Sequence, residues 1–329
     1  MIQVENLTKT FRVHQKAPGL VGSMKSLFSR QWEDKHALTG VTFGVQEGEI
    51  LGLVGANGAG KTTLVKILAG IVHPTSGNVR IDDFVPWERK NAFRQRISLI
   101  MGQKAQLWWD LPAADCFLLL KEIYQIEDRE YRSYLEHLSE ALDVKGQLNV
   151  QIRRLSLGER MKMELIASLL HKPKVVFLDE PTIGLDLTAQ KAIRQFILDY
   201  QRDYKPAMIL TSHYMEDIEK LCKRIVIIRE GEFVFDGQLT EVMSHYAQHK
   251  ILAVTPESPD HLRASQPTMN HSEYVEEIDG VFRFKAERRQ VASAVAEILG
   301  RYPAKDISIE EEDIGHIIEA LMRRERVRV

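Results

Sequence analysis

Gly55-Ala56-Asn57-Gly58-Ala59-Gly60-Lys61-Thr62 satisfies G-x-x-x-x-G-K-[ST] at every fixed position. The apolar run ILGLV (50–54) precedes it, and the periodic segment TTLVKILAGIV (62–72) follows. Strand, glycine-rich loop and helix in that order form a phosphate-binding βα unit. Glycines let backbone N–H groups converge on phosphate oxygens with no Cβ in the way. Lys61 is then placed to neutralise the outer phosphates and Thr62 to coordinate Mg²⁺, with the helix N-terminus adding its positive end. A glycine-rich turn that binds nothing is the competing reading. The strand before and the helix after favour a nucleotide site.

Working outward, the strand Val175-Val176-Phe177-Leu178 ends at Asp179-Glu180. Ends of parallel strands open onto the ligand crevice, so both acids should face the phosphates. Asp179 is the expected metal ligand, and Glu180 the group that orients and deprotonates an attacking water. His213 follows another apolar strand, AMILTS (207–212), which should neighbour the first two. That position makes His213 a candidate γ-phosphate sensor, although a lone histidine is more often structural. Gln103, just past the strand ISLIMG (97–102), has the same location and is a candidate for Mg²⁺ and the water.

The 329 residues carry 44 Lys+Arg against 46 Asp+Glu, a formal net charge of −2. Such a balance argues against a dedicated nucleic-acid binder. A 44% hydrophobic share with 27% charged residues excludes wholesale disorder. The two cysteines, Cys116 and Cys222, form neither a disulfide framework nor a ligand set. The sequence shows neither a signal-peptide core nor a membrane span, since the apolar run 116–120 ends at Lys121.

Along the chain, 1–13 reads as a strand and 14–36 as a basic insert. Leu20, Met24, Leu27 and Phe28 of the insert fit one short amphipathic helix, or simply a surface loop. Strands follow over 37–45 and 79–83, residues 113–145 are mostly helical, and 225–229 turns back as a hairpin around Glu230-Gly231. After residue 240 a turn-rich stretch (256–272) leads to a strand at VFRFKA, a helix over 288–302, and a last strand and helix. The arginines at 323, 324, 326 and 328 read as a solvated helix end or as a contact with anionic lipid.

At Leu155-Ser156-Leu157-Gly158-Glu159 a polar turn opens a helix, with Ser156 a good N-cap. Taken together, GANGAGKTT (55–63), Gln103, LSLGE, VVFLDEP (175–181), IGLD (183–186) and TSHYMED (211–217) resemble the ATP-binding cassette (ABC) ATPases over roughly residues 1–240. The resemblance implies an α/β P-loop NTPase core with an antiparallel β subdomain and a helical subdomain (about 105–165). A small α+β domain, accessory or dimer-forming, is expected over 241–329. It implies ATP and Mg²⁺ as ligands, with Gly55, Asn57, Gly58, Ala59, Gly60, Lys61, Thr62 and Thr63 around the phosphates and Phe11 stacking on the base. Thr62, Gln103 and Asp179 would hold the metal, and Glu180, His213 and Gln103 would carry catalysis. It also implies a head-to-tail dimer with a second copy or a paralogue. Ser156 and Gly158 would then reach the partner's ATP, with Asp186 at the seam.

Leu157 and Glu159 depart from the family's LSGGQ, and an acidic Glu159 near polyphosphate is expected to tune closure. The insert, the stretch GQKAQLWWDLP (102–112) and the tail look like ATPases of ABC-2 type exporters. On that resemblance a separately encoded membrane permease docks near Gln106, Leu107, Trp108 and Trp109, unless the tryptophan pair is core. The protein would sit peripherally on the cytoplasmic face of the inner membrane. A soluble ABC ATPase acting on ribosomes or DNA is the rival reading. It is weakened by the single cassette and by the absence of coiled-coil heptads. A regulator without hydrolysis is weakened by Glu180, Gln103 and His213.

Overall fold

The computed structural model describes residues 1–15, 31–102, 104–259 and 269–323. The chain divides into two compact units, Met1–Gly237 and Gln238–Val329. In chain order the first runs β1 (Ile2–Gln15), β2 (Gln31–Val45), β3 (Ile50–Val54), α1 (Lys61–Leu68), β4 (Ser76–Ile81), β5 (Ile97–Met101), α2 (Ala113–Tyr124) and α3 (Asp128–Ala141). It continues through α4 (Leu157–Leu169), β6 (Val175–Asp179), α5 (Leu187–Tyr204), β7 (Ala207–Thr211), α6 (Met215–Leu221) and β8 (Arg224–Arg229) to β9 (Glu232–Gln238).

Every residue of β3 and β7 is buried, as are the first four of β6. Continuous apolar runs of this kind belong to parallel strands covered on both faces. They lie in a six-stranded sheet ordered β5-β6-β7-β3-β8-β9. The pairs β5–β6, β6–β7, β7–β3 and β3–β8 are parallel. Placing β7 between β3 and β6 brings the phosphate loop, Asp179-Glu180 and Ser212-His213 to one sheet edge, as the sequence leads one to expect. A three-stranded antiparallel sheet, β2-β1-β4, covers α1 through a shared core that includes Leu7, Leu38, Leu64, Ile67 and Phe177.

Two features differ from the expectation. The arms of the insert are not loop: β1 and β2 continue as a two-stranded ribbon with Phe11 opposite Lys35 and His14 opposite Trp32. The side chains of 11–13 and 32–36 are exposed, so no alternation of burial marked this part of the strands in the sequence. The helix suggested by Leu20, Met24, Leu27 and Phe28 lies outside the described residues, as do the arginines at 324, 326 and 328. The second is α5, an 18-residue helix capped by Asp186 that the sequence reading did not identify. Ile193, Phe196, Ile197 and Tyr200 carried its helical period, and all four are buried.

The second unit holds α7 (Leu239–Tyr246), β10 (His249–Pro256), β11 (Glu273–Ile278), β12 (Val281–Glu287), α8 (Val291–Arg301), β13 (Ala304–Glu311) and α9 (Ile314–Arg323). Its four strands form an antiparallel sheet ordered β11-β12-β10-β13 over a core of Leu252, Val254, Phe282, Phe284, Ala294 and Ile298. β10 and β11 were missed in the sequence. The signal for β11–β12 was the turn Asp279-Gly280, where both residues have positive φ, as a two-residue hairpin requires. Among the described residues no helix is long and apolar enough to cross a membrane.

Candidate functional site

Gly60 sets the phosphate loop. Its φ is 115°, and a Cβ there would lie 2.4 Å from the Ala37 carbonyl oxygen. A Cβ on Gly55 would meet the Ile228 oxygen at 2.3 Å. The loop is thus pressed against β2 and β8. Lys61, 6% exposed, opens that helix. Its Nζ donates to the carbonyls of Gly55 (2.5 Å) and Ala56 (3.1 Å). Burial pushes the Lys61 ammonium below its ordinary pKa, and the charges of Glu180 and Asp179 oppose that shift.

Across the crevice Asp179 ends β6. Its Oδ2 accepts from Thr62 Oγ1 (3.2 Å) and its Oδ1 from Thr211 Oγ1 (2.6 Å). Thr211 ends β7, so three elements orient one carboxylate; the sequence reading did not single out Thr211. Glu180 has a φ of 57°, and its amide donates to the Thr211 oxygen (3.0 Å). Its Oε1 lies 2.8 Å from His213 Nε2. Gln103 lies outside the described residues. Its neighbour Gly102 donates its N–H to the Asp179 oxygen (2.9 Å).

A cavity of about 570 Å³ opens over the loop, within the range of roughly 300–1,000 Å³ usual for small-molecule sites. Asn57, Gly58, Gly60, Lys61, Thr62, Thr63 and Glu180 form one side, and Phe11, Arg12, Val13, Lys35 and Ala37 the other. Arg12, Val13 and Lys35 were not anticipated, because the first two read as the end of a strand and Lys35 as part of the insert, none of them as cavity wall. Lys9 Nζ stands 4.7 Å from the Phe11 ring centre.

Ser156, Gly158 and Asp186 are not among the residues lining that cavity. They meet elsewhere: a Cβ on Gly158 would come 3.1 Å from Ala189 Cβ, and the Ala189 amide donates to Asp186 Oδ1 (2.9 Å). Ser156 caps α4 in a closed box with Glu159. The Ser156 amide and hydroxyl donate to Glu159 Oε2 at 2.9 and 2.8 Å, and the Glu159 amide returns a bond to Ser156 Oγ (3.2 Å). Bonds from the Ser156 amide and then its hydroxyl hold the Glu159 carboxyl below its usual pKa.

For a magnesium ion, Thr62 and Asp179 offer hard oxygen donors. Among the described residues no cluster of three or more His, Cys, Asp or Glu is present. Two protein oxygens completed by water and phosphate are the manner in which Mg²⁺ is commonly held, so the residues fit that ion.

The segment 106–109 divides. Trp108 and Trp109 are 44% and 51% exposed and so are not core, whereas Leu107 is 4% exposed. Leu107 therefore forms the floor of a groove of about 350 Å³ that Gln106, Trp108, Ile71 and Tyr124 also line. Glu164 Oε1 accepts from the amides of Gln106 (2.8 Å) and Leu107 (3.2 Å), and Arg160 lies 5.3 Å from the Trp109 ring.

The family profile described as ABC transporter matches residues 38–183. The ABC transporter ATP-binding protein NatA of Bacillus subtilis is 30% identical over 215 residues, 64% of this chain and 87% of NatA. The linearmycin resistance ATP-binding protein LnrL of the same organism is 29% identical over 221 residues, 67% of this chain and 70% of LnrL. The dimeric post-hydrolysis structure of the ATP-binding cassette MJ0796, bound to ADP and Pi, superposes with a TM-score of 0.60 at 22% identity. It covers 72% of this chain and 98% of that one.

Proposed function

The chain belongs to the ABC transporter ATP-binding subunits and is an ATPase of that family, and from that premise we propose that it powers a separately encoded ABC-2 type export permease. One observation carries the catalytic part: the Glu180–His213 contact of 2.8 Å at the ends of adjacent strands, opposite Lys61. In this reading the loop amides and Lys61 bind the ATP phosphates, and Phe11 supports the base. Thr62 and Asp179 hold Mg²⁺, which would offset phosphate charge. Glu180 accepts the proton of the attacking water while His213 holds the Glu180 carboxylate and reaches toward the γ-phosphate.

Ser156, Gly158 and Asp186, gathered on one surface apart from the cavity, suit contact with ATP bound by a second copy or a paralogue in a head-to-tail dimer. Trp108 and Trp109, 44% and 51% exposed, suit the docking of an integral membrane partner. The protein then works peripherally on the cytoplasmic face of the inner membrane. Domain assignment follows the same reading: 1–240 as the nucleotide-binding domain and 241–329 as an accessory or dimer-forming domain.

The test is Glu180→Gln. Turnover is expected to fall by roughly a hundredfold or more, with an ATP-bound dimer accumulating in light scattering. Full activity in this variant overturns the assigned base. Trp109→Ala should release the membrane subunit on co-purification without changing ATP binding. Retained co-purification contradicts the docking site.

A further inference from the structure

Asp217, in α6, is a carboxylate with no exposure at all. Its Oδ2 accepts from the hydroxyls of Thr182 and of Ser212 (2.6 Å), and its Oδ1 from Arg194 Nε (2.6 Å). Arg194 itself, 5% exposed, reaches Gln190 Oε1 (3.0 Å) and Glu216 (2.7 Å). Gln190 Nε2 in turn donates to the Leu185 oxygen (3.0 Å). None of these residues lines the nucleotide cavity.

The connections bracket the reacting pair. Thr182 lies two residues after Glu180, whose φ of 57° needs support from its surroundings. Ser212 immediately precedes His213, and its Oγ also accepts the Tyr214 amide (3.0 Å), fixing the backbone on both sides of the imidazole. Arg194 and Gln190 belong to α5, the helix that Asp186 caps. A buried ion pair in place of apolar packing gives little net stability. What it supplies here is direction, because one carboxylate ties the Glu180 turn and the His213 turn to Arg194 in the middle of α5, and through Arg194 and Gln190 to Leu185, the residue before Asp186.

We infer that Asp217 is a positioning residue for hydrolysis, holding Glu180 and His213 in register with each other and with Asp186; this rests on the ATPase reading of the site. Interactions of this kind act on the transition-state geometry and not on binding of the ground-state nucleotide.

The experiment compares Thr182→Val, Ser212→Ala and Asp217→Asn in the full chain. It measures kcat, the Kd of a non-hydrolysable ATP analogue, and Tm. Thr182→Val and Ser212→Ala are each expected to lower kcat by about tenfold while the analogue Kd stays within about twofold. The double variant is expected to lose much less than the product of the two, since both hydroxyls serve one carboxylate. Asp217→Asn should lose more than either. If kcat is unchanged in the two hydroxyl variants, or if it falls only in step with analogue affinity and Tm, the inference is overturned and the network is structural. A wild-type chain that neither binds the analogue nor hydrolyses ATP overturns the reading of the site, and the inference with it. An active wild type with unaffected variants overturns the inference alone.

Discussion

Gly60 has no room for a side chain, with the Ala37 oxygen 2.4 Å from where a Cβ would sit and a φ of 115°. Gly60→Ala should therefore destabilise the chain by about 2 kcal/mol or more, combining backbone strain with a clash against main chain that cannot rotate away. The urea midpoint is the measurement, and an unchanged midpoint would contradict the geometry. At the cysteines the sequence indicated neither a disulfide framework nor a ligand set. The structure buries both, Cys116 at 0% and Cys222 at 4% exposure, and burial raises both thiol pKa values. Neither should react with an aromatic disulfide reagent until the chain unfolds, so prompt native-state labelling would show that the fold opens there. The identities of Lys61, Asp179 and Glu180 were legible because each occupies a fixed offset in a short motif. Thr211 and Asp217 bound the TSHYMED stretch, but their roles were not legible, because these depend on what lies opposite them in space.

At the scale of the element, α4 joins two parts of the molecule that the sequence treated separately. Its Ser156–Glu159 box begins the helix, and its buried Glu164 holds the amides of Gln106 and Leu107. Burial raises the Glu164 pKa above its ordinary 4.5, outweighing those amide bonds. A raised folded-state pKa means the folded chain binds more protons than the unfolded one. Stability is thus fully present below the ordinary value and declines as pH rises through the folded pKa. Both amides share Oε1, which Gln can replace, so Glu164→Gln should be as stable as wild type near pH 5 and more stable at pH 8. Glu164→Ala leaves the buried Leu107 amide and the half-buried Gln106 amide without this partner and should cost about 1–3 kcal/mol. Thermal melts of the three proteins across pH decide this. In the capping box the Ser156 hydroxyl is turned onto Glu159. Glu159→Gln weakens that acceptor and frees the hydroxyl, so ATP turnover should rise; a fall, or no change, counts against this account of the departure from LSGGQ.

At the scale of the whole molecule, each unit has a sheet and an apolar core of its own. A chain ending at residue 240 is expected to unfold cooperatively and keep its ATP affinity, as judged by calorimetry and nucleotide titration. Loss of either would show that the cassette depends on the second unit. The α/β class and the phosphate loop were determined by sequence alone. Buried parallel strands must be continuous apolar runs, and a loop that wraps phosphate needs glycine and lysine at set spacings. Local chemistry of that kind is written in neighbouring residues. Tertiary structure alone decided that β1 and β2 extend as a ribbon whose Phe11, Arg12, Val13 and Lys35 form a wall of the nucleotide cavity, with 11–13 and 32–36 exposed and no period to betray them. It decided that Leu107 is buried while Trp108 and Trp109 are exposed, though nothing in the sequence separated the three. It also placed Thr182, Arg194 and Ser212 around the buried carboxylate of Asp217. These residues lie on different elements, and a hydrogen bond between them exists only after the sheet order has brought those elements together.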